Sequence, residues 1–266
     1  MFIRSLQLMA FSLIILSVCR QLIAQERGYH TELSDGTSGW IILVNDSQKP
    51  IETFSLTGKC GTISTEFVHD SLDGSRTGSL HPAAGKQSDT IKPGERFFSI
   101  TKLLPQSSGC TWKVEVNAAI YTDGTYDGDE NVVRALQARR DGILAAAQDW
   151  TERLEVEFAR KTAAEIVIAD AKRLAEEDLK KMMAPSCSSK PLACGYWQGR
   201  RHVDANVALH LERSNKDLDA VYAWNIQDIE RWRKKIDTDG AFKRMDAIFP
   251  IMAELAAETI ASSTHR

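Results

Sequence analysis

Three features that would narrow the function quickly are missing from this 266-residue sequence. There is no G-x-S-x-G elbow, the strained turn that exposes a nucleophilic serine in α/β hydrolases. There is no internal repeat or low-complexity tract, so the chain does not read as a solenoid or a linker. There is also no basic cluster. Lys+Arg total 33 against Asp+Glu 36, a formal net charge of −3, which becomes −5 if Arg4 and Arg20 leave with a leader. Nucleic acid and anionic membranes are bound through a concentrated positive face, so neither is expected as a partner. What is present is ordinary for a folded chain: 43% hydrophobic and 26% charged residues, and enough length for two modest domains.

Long apolar runs are scarce too. The one nearly unbroken run covers residues 6–18, with Leu6, Leu8, Met9, Phe11, Leu13, Ile14, Ile15, Leu16 and Val18. A membrane-spanning helix needs about 20 such residues. A secretory core is shorter, and Arg4 supplies the positive residue ahead of it. Residues 1–24 are therefore expected to be a signal peptide cleaved after Ala24, leaving a periplasmic or secreted chain without a membrane span. The alternative is an anchor through the leader, because Leu16-Ser17-Val18-Cys19 resembles a lipoprotein box apart from the bulk of Val18.

Cysteine usage fits export. Cys19 belongs to the leader, which leaves Cys60, Cys110, Cys187 and Cys194. Four cysteines allow three pairings. Cys60–Cys110 with Cys187–Cys194 is the economical one, since the first two lie in a strand-patterned region and the last two in one short segment. The longer crosslink would contribute about 3–4 kcal/mol, mainly by restricting the unfolded chain.

The expected class is α+β, with an antiparallel β-sandwich over 36–126 and a mostly helical region over 127–266. Trp40-Ile41-Ile42-Leu43-Val44 is a short apolar β-run, and Phe54 and Leu56 alternate with Thr53, Ser55 and Thr57. Over 112–121, Trp112, Val114, Val116, Ala118 and Ile120 share one face against Lys113, Glu115 and Asn117, the pattern of a half-buried strand. The segment Val44-Asn45-Asp46-Ser47-Gln48-Lys49-Pro50-Ile51, read as a first hairpin, and the turn Ile91-Lys92-Pro93-Gly94-Glu95 resemble the immunoglobulin-like or fibronectin-like modules of exported bacterial proteins. That resemblance covers about a third of the chain and implies binding, spacing or scaffolding.

From 129 to 184 apolar residues recur at helical spacing, including Val133, Leu136, Ile143, Trp150, Leu154 and Leu179. This predicts a long helical run, capped by Asp127 with Glu130 three residues on and either bent near Gly142 or broken elsewhere. A cysteine-bearing loop over 185–199 follows, then helix over 201–236, a turn at Asp239-Gly240 and a last helix over 242–260. These pieces would pack as a hairpin or small bundle, and a third reading makes the long helix of this helical region a self-association element.

Few residues suggest chemistry. Asp123, Thr125, Asp127 and Asp129 fall at calcium-loop spacing, but Arg134 stands at position 12, where calcium requires a bidentate glutamate. The same residues read as a glycine turn leading into a helix N-terminus. Cys187, Cys194, His202 and His210 are spaced too widely for a compact zinc site. His69-Asp70-Ser71 reads as a solvated turn, because adjacency in sequence is not triad geometry. Glu155 with Glu157 and Glu176 with Glu177 read as solvated helix charges. Tyr196 and Trp197, flanked by Arg200 and Arg201, read either as a contact patch on the cysteine loop or as an apolar plug between that loop and the bundle. No catalytic residue, metal or cofactor is expected. The function expected is a non-enzymatic exported protein with a binding or structural role at the cell envelope, whose partner is a protein or an envelope component. The alternative is an envelope enzyme with a site between sandwich and helices.

Overall fold

The computed structural model describes residues 28–33, 40–73, 90–102, 112–183 and 190–238. The expected leader, Cys110, Cys187, the turn at Asp239-Gly240 and the helix over 242–260 lie outside them, as do the side chains of Trp40 and Trp232. The class is α+β, with strands first and helices after.

Among the described residues the strands are β1 (Tyr29–Leu33), β2 (Trp40–Asn45), β3 (Ile51–Cys60), β4 (Ile63–Asp70), β5 (Arg96–Lys102), β6 (Lys113–Tyr121) and β7 (Tyr126–Gly128). They make two antiparallel sheets, ordered β1-β2-β5 and β4-β3-β6-β7. The first strand thus precedes residue 36, where the β region was expected to begin. The expected hairpin over 44–51 does not form either. Its two strands belong to different sheets, and residues 46–50 carry the chain between them. Asn45 holds this crossover, donating from Nδ2 to the carbonyls of Lys49 at 2.8 Å and Ile91 at 2.7 Å. The two sheets share a core of Ile41, Leu43, Phe54, Leu56, Phe67, Phe97, Trp112 and Val116, as facing sheets must to bury their apolar sides.

The single apolar face read over 112–121 is corrected by a bulge. Ser55 pairs with Ala118 while Leu56 pairs with Val116, so Asn117 is the extra residue of β6. A bulge resets which side chains point inward. Val116 therefore faces the sandwich, but so do Ala119 and Tyr121. Ala118 and Ile120 turn to the opposite side, where they pack on Val133, Leu136 and Leu192. A second bulge places Glu52 between the pairs Ile51–Tyr121 and Thr53–Ile120.

Helices cover that outer side: α1 (Glu130–Ala159), α2 (Ala164–Met182), α3 (Pro191–Arg213) and α4 (Leu218–Thr238). The cap of α1 is Asp129, which accepts from Asn131 N at 2.8 Å, not Asp127. The acidic turn does not lead straight into the helix, because β7 intervenes as the return strand of a hairpin with β6. The long helical run is broken and not bent: its first helix continues through Gly142 and ends at Ala159. Lys161 adopts a left-handed φ of +54°, and Thr162 N returns to the Glu157 carbonyl at 3.0 Å, closing the helix end in the manner usually left to glycine. The expected loop over 185–199 is helical from Pro191, whose fixed φ suits a first helical position. The expected helix over 201–236 breaks where Asn215 and Lys216 take positive φ, and Asp217 caps α4 through Asp219 N at 3.0 Å.

Gly142, Gly195 and Gly199 serve close packing. A Cβ on Gly199 would lie 2.0 Å from the Arg139 carbonyl, and one on Gly195 2.0 Å from that of Ala135. This register runs α1 and α3 parallel with their backbones in contact, which only residues lacking a side chain permit. Ion pairs Lys172–Glu212 and Lys216–Glu165 set α2 antiparallel to α3. A 3-10 turn after β4 (Ser71–Asp73) inserts Leu72 into the helical core beside Ile143, Trp150 and Val207. Sandwich and helices therefore share apolar core. Among the described residues no helix is long and apolar enough to cross a membrane.

Candidate functional site

Two features occur where the four-stranded sheet meets the helices. The first is a buried charge cluster. Arg140 of α1 grips Asp70 at the end of β4 with two hydrogen bonds, Nε to Oδ2 and Nη2 to Oδ1, both 2.9 Å. Its Nη2 also lies 3.0 Å from the Glu52 carboxylate and donates to the Thr53 hydroxyl. The neighbouring Arg139 is 3.6 Å from Asp70. Ser71 donates to Glu52 at 3.3 Å, and Leu72 N to Asp70 at 2.9 Å. From α4, Arg231 donates to the Leu72 carbonyl at 3.2 Å.

All four charged groups are buried: Asp70 is 0% exposed, Glu52 1%, Arg140 3% and Arg139 4%. Burial alone would raise the Asp70 carboxyl, but Arg140, then Arg139 and the Leu72 N–H, outweigh it and hold the group below its ordinary range. Burial opposes the charge on Arg140 as well, and Asp70 and Glu52 more than restore it. Two carboxylates matched by two guanidiniums leave no net charge, the arrangement that makes ion burial tolerable. The bulge at Glu52 is what aims its carboxylate at α1. The solvated turn expected at His69-Asp70-Ser71 is therefore corrected: all three residues are buried, and Asp70 ties the layers together.

The second feature is a cleft along the same seam. One part, about 340 Å³, is walled by Ser55, Glu66 and Val68 of the sheet, by Asn131 and Leu136 of α1, and by Met182, Pro191 and Gln198 of the other helices. An adjoining part, about 550 Å³, is lined by Glu115, Asp127, Gly128 and Asp129. Asn117 and Val132 line both. Asn117, the bulge residue, is fixed by donating to Thr57 at 2.8 Å and Ser55 at 3.2 Å, while its carbonyl accepts from Asp129 N at 3.0 Å. Gly128 is obligatory here: its φ is +101°, and a Cβ would come within 2.2 Å of that carbonyl. Among the described residues no lysine, arginine or histidine lines either part. The walls offer amides, carboxylates and apolar surface.

The residues at calcium-loop spacing are each engaged otherwise. Asp123 pairs with Lys49 at 2.7 Å and accepts from the Thr125 N–H and hydroxyl at 3.0 and 2.6 Å, a side-chain-closed turn. Against the upward push of burial, these partners hold its carboxyl at about 2. Asp127 accepts from Tyr121 Oη at 2.6 Å, and Asp129 caps α1. The expected contact patch lies on helix α3, not on a loop. Tyr196 and Trp197 meet edge-on, the Lys181 ammonium sits 3.8 Å from the Trp197 ring, and Arg200 donates to Asp149 at 2.9 Å. Arg201 is half-buried on the same helix. His202 accompanies Asn206 at 3.0 Å, and His210 stacks on Trp224 at 3.8 Å. Among the described residues no disulfide pair is complete, but Cys60 and Cys194 are both half-cystines.

The bundle interior holds a further carboxylate that composition and spacing do not reveal. Asp204 of α3, 2% exposed, accepts from the Trp150 indole Nε1 at 2.6 Å. Burial, then Asp178 nearby, raises its carboxyl to about 6, while the indole, Arg200 and Arg153 pull the other way. Comparison with protein-family models, with curated proteins and with solved structures finds no match to this chain.

Proposed function

We propose that the chain is a non-enzymatic exported protein with a binding or structural role at the cell envelope, and that the sheet–helix cleft is its binding face. One observation carries this reading. The cleft is walled by elements locked to each other through the Arg140–Asp70–Glu52 cluster, and among the described residues its lining is mainly amide, carboxylate and apolar. Walls fixed in advance lower the ordering cost of binding. Export is supported by the apolar run over 6–18 and by the half-cystines Cys60 and Cys194, since disulfides persist in oxidising compartments. The proposed pairing is Cys60–Cys110 with Cys187–Cys194, and the proposed module type remains an immunoglobulin-like sandwich.

The test is cosedimentation of the chain lacking residues 1–24 with isolated cell envelopes. Gln198→Trp, which fills the cleft from a half-exposed position, should abolish the association and leave the thermal midpoint unchanged. Specific turnover of an envelope substrate, abolished by Glu66→Gln, would instead establish the alternative of an enzyme at the same seam. The position of the cleft between the layers is what keeps that second reading in play.

A further inference from the structure

We infer that the helical bundle contains a proton-sensitive clasp: Asp204, gripped by the Trp150 indole, is neutral in the tight form of the bundle, and its ionisation loosens the contact between α1 and α3.

The geometry is specific. Trp150 and Asp204 are each 2% exposed, and the 2.6 Å bond from Nε1 to Oδ1 is the one hydrogen bond Asp204 makes among the described residues. A carboxylate in an apolar interior needs a cation or several donors to stay charged. Asp204 has a single neutral donor. The cations nearby are committed elsewhere: Arg153 of α1 pairs with Asp170 and lies over the Trp150 ring, and Arg200 of α3 bonds Asp149 of α1. From α2 comes a second carboxylate, Asp178, 4% exposed, bonded to Lys181 at 2.7 Å and 3.8 Å from Arg200 Nε. The α4 residue reaching the same turns of α1 is neutral: Asn225 donates to the Ala147 carbonyl at 3.2 Å and the Thr151 hydroxyl at 3.0 Å. Val207, Val167 and Val221 belong to the same buried apolar cluster as Trp150.

On ionising, the carboxyl O–H breaks, the proton goes to solvent, and the electron pair stays as buried charge facing Asp178. The transition is placed by the group's elevated value of about 6, against 3.8 in an open chain. A folded-state value above the unfolded one means stability fully present below about pH 4 and lost as pH rises through about 6. Asp204 lies on the surface where α1 and α3 touch, so the loss falls on that contact.

The test follows tryptophan fluorescence and the thermal midpoint of the full chain from about pH 4.5 to about pH 8. Wild type should show a fluorescence change centred near pH 6 that Trp150→Phe removes, and a midpoint that falls across the same range. Asp204→Asn keeps an acceptor for the indole without a charge, so it should abolish both changes. Persistence of both in Asp204→Asn, or a flat wild-type profile, overturns the clasp. A second readout needs no variant. Infrared difference spectra of the folded wild type should show a protonated carboxyl C=O band at pH 5 that is lost by pH 7.5, and absence of that band also overturns the inference.

Discussion

The seam between sheet and helices and the interior of the bundle both bury carboxylates, and they solve the problem oppositely. At the seam, Asp70 and Glu52 meet Arg139 and Arg140, so burial strengthens a matched set and the carboxyl stays charged. In the bundle, Asp204 meets an indole N–H, so burial favours the proton. The same penalty thus yields opposite pH dependences. Asp70, with its value depressed, contributes stability present above about pH 4 and lost as pH falls through its folded value. Asp204 contributes stability that is lost as pH rises. The number and charge of the donors decide which outcome holds, not the depth of burial.

The largest effect should come from breaking the seam. Arg140→Ala leaves Asp70 and Glu52 buried beside Arg139 alone and should cost about 3–5 kcal/mol, read as a loss of midpoint in chemical denaturation at pH 7. Asp204→Asn should move stability the other way at pH 8. Removing a carboxylate raised by about two units should stabilise by about 3 kcal/mol, a gain of roughly 6–12 °C for a chain of this size, and by almost nothing at pH 4. Gly199→Ala should cost about 1–3 kcal/mol by forcing α3 away from the Arg139 carbonyl. It should also weaken the Trp150–Asp204 bond, so its fluorescence should differ from wild type at every pH. Asp129→Ala removes only the cap of α1 and should cost about 1 kcal/mol. Calorimetry should find that cost unchanged between pH 6 and pH 8, separating a helix-end effect from either charge cluster.

The succession of strands and helices was legible because it is written locally, in the alternation of Phe54 and Leu56 and in the helical spacing from Val133 to Leu154. The seam was not. Glu52 and Asn117 are bulge residues, and nothing in their neighbourhood distinguishes them from paired strand positions. Arg139 and Arg140 look like the solvated face of a helix until a partner 70 residues away, Asp70, is placed against them. A glycine inside a helix weakens it, so Gly142 marks one place for a bend. Its reason is the Tyr196 carbonyl, 2.1 Å from where a Cβ would stand. The end of α1 was missed because the left-handed residue is Lys161, which carries no mark of a stop. For the cleft, Asp127 and Asp129 stand out in the sequence only as parts of an acidic glycine turn, and they line its acidic end. Glu66, Asn131 and Gln198 had no signal at all, being joined only by the packing of α1 and α3 on the sheet.

The opposition between the two clusters is tested most directly by the thermal midpoints of wild type, Arg140→Ala and Asp204→Asn from about pH 3 to about pH 8. The deficit of Arg140→Ala should be full at neutral pH and shrink as pH falls from about 4 through the depressed value of Asp70. The advantage of Asp204→Asn should be near zero at pH 4 and grow through pH 6 to a plateau. Difference curves that run in the same direction, or an Asp204→Asn curve parallel to wild type throughout, would contradict the account.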